Sequence, residues 1–277
     1  MISSWRAVLA RRDLLATLVA TDMRVSVVGS RLGWVWWFLD PLLLMLVYWG
    51  IIAGVFGRGS DRYEPYPLFL FIALATWKHF AASVSKSIGV LRSRDRLVKS
   101  IAFPTIVLPL SVVASGFVYF LAGFSVFAVA AAIWRPERHT GDLLPLLQVP
   151  ALMAAQVAVT AGVCMALSCF GVVFPDLRLV AGHVLRVGFY LSPGLYGVDL
   201  VRERALGALG APWGEWAFDA YMANPFAVLF TGYREAVLYG AWLPPHWWAL
   251  LAVEAVAAFV LGYRIYQHHD RRVLKFL

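Results

Sequence analysis

The sequence predicts an all-α integral membrane protein with six transmembrane helices. An N-terminal amphipathic helix lies in the membrane interface, and short re-entrant helices sit between the fifth and sixth spans. Three observations lead there. The 277 residues are 61% hydrophobic and 14% charged, whereas a soluble domain carries about 25% charged residues. Residues 101–134 and 143–174 contain no charged side chain at all. A bilayer core about 30 Å thick takes roughly 20 apolar residues at 1.5 Å each, so the length allows about five to seven spans. No room is left for a sizeable soluble domain.

Residues 1–33 alternate charges with apolar residues and lack the continuous apolar core and small-residue cleavage site of a signal peptide. On a helix, Trp5, Val8, Leu9, Leu15, Ala16 and Val19 share one arc, with Arg6, Asp13 and Thr17 opposite. That pattern suits a helix lying in the interface; packing against the protein's own helix ends is the alternative. Arg12 falls within the apolar arc, which requires its stem to snorkel. The first span, about 34–56, opens on Trp34, Trp36 and Trp37 and carries Asp40-Pro41 one turn further in. The polar loop GRGSDRYEPYP at 57–67 precedes a second span at about 68–90, and RSRDRLVKS at 92–100 follows it. The third and fourth spans lie in the two uncharged stretches, separated by WRPERHTGD at 134–142. After PDLRLVAGHVLR at 175–186, the apolar piece 187–198 is too brief to cross unless its helix starts inside that connection. Residues 199–245 mix Gly, Pro, Trp and charges, and NPFAVLFTGYREAVLYG at 224–240 is amphipathic but too short and polar to cross alone. Two short helices dipping into the outer leaflet fit this segment, since irregular backbone at membrane depth must be sheltered by protein; an external loop lying flat on the membrane is the alternative. The last span is about 246–265, and a basic tail ends with HHDRRVLKFL. The chain is thus one membrane domain: 1–33 at the interface, 34–198 with spans 1–5, 199–245 external, and 246–277 with span 6 and its tail.

Orientation follows from basic residues. With six spans and a cytoplasmic N-terminus, segments 1–33, 92–100, 175–186 and 264–277 hold 15 Lys and Arg, against 7 in 57–67, 134–142 and 199–245. The excess places both termini inside. It also accounts for the net charge of +8 without nucleic acid, because cytoplasmic loops face anionic lipid and soluble partners.

Ionisable residues at membrane depth are Asp40, Lys78, His79, Lys86 and Glu254, scattered singly along the sequence. Embedded glycosyl- or acyltransfer needs clustered polar groups, which such spacing does not offer. No catalytic residue and no metal ligand is assigned; His268-His269-Asp270 lies in the basic tail and reads as a solvated helix end. A secondary transporter would show interrupted helices in corresponding halves, and the break near Pro193 has a poor counterpart near Asp40-Pro41. Cys164 and Cys169 form no CxxC motif and read as small packing residues. No GxxxxGK[ST] phosphate loop is present, so the chain has no ATP site of its own.

Four stretches carry a resemblance. VVGSRLGWVWWFLDP resembles the start of the first span in ABC-exporter permeases of the polysaccharide and polyol-phosphate (Wzm/TagG-like) family. LVKSIAFPTIVLPL resembles that family's loop and third-span start, and FYLSPGLYGVDLV its fifth span with the Ser192-Pro193 pair. NPFAVLFTGYREAVLYG resembles its Asn-Pro segment before an Arg-containing helix. The four occur in the family's order over nearly the whole chain. The resemblance implies the type-2 ABC exporter permease fold and a non-enzymatic half-transporter in the bacterial cytoplasmic membrane. Two copies would form the pore, with two separate ATPase subunits binding ATP and Mg beneath. The cargo implied is a lipid-linked polysaccharide of O antigen type; teichoic acid and capsular polysaccharide are the alternatives.

Residue roles are expected on that frame. Arg92, Arg94, Arg96, Leu97 and Lys99, with Val98 as a further apolar knob, form a short helix suited to a groove on the ATPase, with Asp176 and Arg178 as a second contact and the N-terminal helix as a third. Asp40, about 9 Å into its helix, and Lys78, about 16 Å into the next from the other side, reach similar depth and pair or share the translocation path. Trp34, Trp37, Pro41, Met45 and Tyr48 share a face, with Phe69, Trp77 and Phe80 offering similar steps. These rings form an interfacial belt, or line a path for sugar rings through at least Trp37 and Tyr48. Pro193 bends the short fifth span and supports the re-entrant segment of Asn224, Pro225 and Arg234.

Overall fold

The structure, a computed structural model, describes residues 11–54, 63, 65–100, 103–134, 143–174 and 176–273, without the side chains at 48, 49, 52, 53, 98, 100 and 270–273. Trp5, Arg6, Val8 and Leu9 and the side chains of Tyr48, Val98 and Asp270 therefore lie outside the described residues. The described elements are helical: α1 (Arg12–Val27), α2 (Trp36–Gly54), α3 (Tyr66–Ser93), α4 (Asp95–Ser100), α5 (Val107–Trp134), α6 (Gln148–Val173), α7 (Leu177–Leu191), α8 (Val198–Leu209), α9 (Trp213–Met222), α10 (Pro225–Arg234) and α11 (Pro245–Val273). A π-helical turn, Glu235–Tyr239, continues α10.

Among the described residues, four helices are long and apolar enough to cross a membrane: Tyr66–Ser93, Val107–Ile133, Leu144–Val173 and Pro245–His269. The second expected span starts its helix at Tyr66, inside the stretch read as loop, because Pro65 and Pro67 stand at its first turn, where a missing N–H costs nothing. α2, with 19 residues, and α7, with 15, are shorter, and α7 extends only about 22 Å.

The hydrophobic segments divide into inner and outer helices. In their most apolar windows, Tyr66–Ser93 and Leu144–Val173 are 67% and 61% buried, whereas Val107–Ile133 and Pro245–His269 are 22% buried. Hence α3 and α6 form the centre, with α5 and α11 packed on them. Close approach of α6 to α11 depends on Gly162 and Gly262. A Cβ on Gly162 would collide with the Ala258 carbonyl, and one on Gly262 with the Gly162 carbonyl. Small residues permit this because apolar lipid gives helices no hydrophobic reason to associate, so packing must do it.

α1 packs on α5. The rotation differs from the expected arc: Leu18 is buried, with Leu14 and Leu15 partly so, while Ala16 is exposed. The reason is Asp22, one turn beyond Leu18. It accepts a 2.5 Å hydrogen bond and ion pair from Arg94 and a 3.4 Å bond from the Ser115 hydroxyl. This polar anchor turns Leu14, Leu18 and Asp22 toward the bundle. Arg12 is exposed. Between α1 and α2 the chain reverses at Gly29 (φ +80°) and Gly33 (φ +50°), with the Gly33 N–H donating to the Ser30 hydroxyl at 3.2 Å. The Gly-Ser-Arg-Leu-Gly run before the tryptophans is this turn, whose left-handed backbone favours glycine.

Candidate functional site

Most of the α3 surface is buried, but Lys78, Ala82 and Lys86 are exposed at four-residue steps, which puts them on one face. That face borders a cavity of about 440 Å³ shared with α2, α5 and Ser26 at the end of α1. Trp36, Trp37 and Asp40 line it from α2 and Tyr119 from α5. Asp40 and Lys78 form an ion pair across it, with side chains 56% and 46% exposed. Trp37 lies between Trp34, at 4.3 Å between ring centroids, and Tyr119, at 4.5 Å. Pro41 is buried beside it and faces Gly123 of α5. The geometry offers two ammonium groups, one carboxylate and several ring faces to a single cavity.

Trp77 stands on the other side of the same strip. It contacts Phe80, Phe189 and Phe226 at 5.5, 5.9 and 4.8 Å, tying α3 to α7 and α10. It also borders a second cavity of about 330 Å³ with Ser85 and Arg186, and Ala82 borders both. Phe69 is core, 2% exposed beneath Arg234. Trp36, Lys86 and Tyr119 were not among the expected lining residues. On a sequence, Trp36 looks like one more belt ring, and Tyr119 sits in an apolar run with no charge to mark its face.

The bend residues meet. α7 stops at Leu191, the chain turns through Ser192–Gly197, and α8 begins at Val198. Asn224 caps α10, accepting the Phe226 N–H at 3.0 Å, and donates to the Ser192 hydroxyl at 2.8 Å. Arg234 is fully enclosed at 2% exposure. It donates to the carbonyls of Pro193 (2.7 Å), Gly194 (2.8 Å), Phe69 (3.2 Å) and Tyr196 (3.4 Å) and lies 3.4 Å over the Phe69 ring. Its guanidinium stays charged in a protein even when buried. Pro225 fills the first position of α10, where no N–H is needed.

Of the ionisable residues that lie singly along the sequence, Asp40 and Lys78 pair in space, and His79 joins a chain of polar side chains. Its Nδ1 meets the Gln156 amide nitrogen at 2.9 Å, and Tyr233 donates to the Gln156 oxygen at 2.7 Å. This buried chain joins α3, α6 and α10, elements too far apart in sequence for spacing to connect them. Glu254 stands apart, with one buried carboxylate oxygen lacking a hydrogen-bond partner.

Parts of the basic loop bond within the chain. Arg92 donates to the Val172 carbonyl at 2.6 Å, and Arg94 pairs with Asp22, so both guanidiniums anchor the loop within the chain. Leu97 packs partly into the core with Leu18 and Leu91. Arg92, itself exposed, satisfies a helix-end carbonyl, and the partly buried Arg94 satisfies a carboxylate that would otherwise be left unpaired. Arg96 is exposed, as is Lys99, which pairs with Asp95 at 3.6 Å; Asp176 and Arg178 are exposed at the start of α7. His268 and His269 lie near the end of α11, with His269 Nδ1 at 2.9 Å from the Ile265 carbonyl.

With this geometry in hand, comparison with characterised proteins is informative. The chain is 29% identical over 264 residues to the O-antigen export system permease protein RfbA of Myxococcus xanthus, covering 94% of this chain and 93% of that protein. It is 26% identical over 265 residues to the protein of the same name from Klebsiella pneumoniae, covering 96% and 95%. The chain resembles polysaccharide ABC-exporter permeases over almost its whole length. No family model matches it.

Proposed function

We propose that this chain is the transmembrane subunit of an ATP-driven ABC transporter that exports a lipid-linked polysaccharide of O antigen type across the cytoplasmic membrane. Near-complete alignment with O-antigen export permeases is the observation that carries the reading. The four long apolar helices are compatible with it. α2 and α7 complete six spans, with α8 to α10 as the external re-entrant segment and both termini cytoplasmic. Two copies of the chain form the conduit, and two separate ATPase subunits supply ATP and Mg; this chain binds neither.

In that assembly, Trp34, Trp37, Asp40, Tyr48, Trp77 and Lys78 border the substrate path. Charges within a span are expensive unless paired or in contact with water; Asp40 and Lys78 are paired, and a place on the substrate path would give the half-exposed pair water as well. Aromatic faces give a repeating sugar chain a surface that demands no single hydroxyl pattern. ATPase coupling falls to the exposed Arg96, Lys99, Asp176 and Arg178. Arg94 and Leu97 hold that surface from inside, and the exposed Arg92 ties it to the end of α6. Arg234, Asn224, Pro193 and Pro225 fix the re-entrant segment.

Deleting the gene should remove surface polysaccharide and leave lipid-linked glycan on the cytoplasmic leaflet, and the affinity-tagged chain should co-purify with an ATPase. Unchanged surface polysaccharide, or a functional chain that purifies with no ATPase, would overturn the reading.

A further inference from the structure

We propose that the cavity between α2, α3 and α5 is a phosphate site, which takes the phosphate group of an amphiphile in exchange for Asp40 as the partner of Lys78. The inference rests on reading the exposed strip of α3 as part of the translocation path, and it adds the chemistry of what stops there.

Charge is the first reason. Lys78 and Lys86 face the same cavity, and Asp40 is the sole carboxylate among its lining residues. Lys86 pairs with no carboxylate among the described residues. The two lysines are eight residues apart, about 12 Å along the helix axis. Each ammonium sits on a flexible four-carbon stem. Both can therefore converge on one phosphate or on the two phosphates of a diphosphate.

Exchangeability is the second. The Asp40–Lys78 pair is about half exposed on both sides, and among the described residues Asp40 has no other hydrogen-bond partner. Exposed ion pairs contribute little because water solvates the parted charges nearly as well. A phosphate ester with more than one negative charge attracts the two ammoniums more strongly than a single carboxylate does. Asp40 thus acts as a resident anion that keeps the empty site neutralised at membrane depth.

Shape is the third. Trp36, Trp37 and Tyr119 line the cavity together with the lysines, Trp37 and Tyr119 in edge contact at 4.5 Å, and the volume of about 440 Å³ is that of a small-molecule site. Rings beside cations suit a ligand whose charged group joins an apolar or sugar portion. Bilayer phospholipid and a prenyl-type carrier both have this chemistry.

The probe is farnesyl diphosphate, with farnesol as the uncharged control, titrated against the intact chain in phosphatidylcholine nanodiscs. Wild type should bind the diphosphate at least about tenfold more tightly than farnesol. Lys78→Gln with Lys86→Gln should abolish that preference, and Asp40→Asn should tighten diphosphate binding roughly three- to tenfold by removing the competing anion. Lys86→Gln alone, at an exposed position, serves if the double variant does not fold, and should weaken the diphosphate alone. Equal affinity for farnesol, unchanged binding in the lysine variants, or weaker binding in Asp40→Asn would each overturn the proposal. Replacing a third of the phosphatidylcholine with phosphatidylglycerol separates the sources. Competition that abolishes probe binding assigns the site to bilayer headgroups, and persistence assigns it to a carrier lipid phosphate. A chain that exports glycan yet shows no phosphate preference sinks the site and leaves the exporter reading intact.

Discussion

Arg234 keeps a full charge inside the protein with no ion-pair partner among the described residues; main-chain carbonyls surround it instead. The carbonyls of Pro193, Gly194 and Tyr196 belong to a turn with no helical hydrogen bonds of its own to offer them, and that of Phe69 lies in the first turn of α3. The guanidinium's fan of donors suits this task, and a lysine's single ammonium does not. Each buried carbonyl left without a donor costs about 1–3 kcal/mol. Arg234→Gln should therefore destabilise the chain by several kcal/mol in total, and Arg234→Lys by less, in detergent unfolding followed by intrinsic fluorescence. Equal stability of Arg234→Gln and wild type would mean the clamp is dispensable.

The crossing of α6 and α11 is decided by backbone contact. Gly162→Val puts branched carbon where the Ala258 carbonyl stands, and a helix backbone cannot retreat locally as a side-chain tip can. Overpacking costs about 1–3 kcal/mol in ordinary cores and more where backbone must move, so Gly162→Val should lower the melting temperature sharply. Gly182→Ala in α7 is the control. Nothing lies within 4 Å of its added Cβ, and replacing a helical glycine by alanine is worth about 0.5–1 kcal/mol in favour of the helix. A crossing that tolerates valine as well as α7 tolerates alanine would refute the close-packing account. α1 teaches a related lesson: Asp22, not the apolar arc, sets how that helix turns.

At the scale of the whole molecule, α3 is buried but for one exposed stripe, and hydration of that stripe would distinguish a conduit wall from a lipid-facing span. Single cysteines at 78, 82 and 86 should react with a membrane-impermeant thiol reagent, whereas cysteines at 76, 80 and 84 should not, since those positions are 0%, 9% and 1% exposed. Cys164 and Cys169 are buried at 0% and 1% and leave a quiet background. Uniform labelling, or none along the stripe, would remove α3 from the path.

The sequence by itself determined that this is a helical membrane protein, because composition and uncharged runs report directly on transfer into lipid. It also put Asp40 and Lys78 at one depth, because rise per residue is fixed, and marked the break at Pro193, because proline cannot donate a hydrogen bond. Only the tertiary structure decided which groups face one another. It bonded Arg92 to Val172 and Arg94 to Asp22, joined His79 to Gln156 and Tyr233, and added Trp36, Lys86 and Tyr119 to the cavity. Helical periodicity gives a residue's angle on its own helix but not the rotation of that helix against its neighbours. That rotation is set by contacts such as Gly162 on Ala258 and Asp22 with Arg94, between residues far apart along the chain.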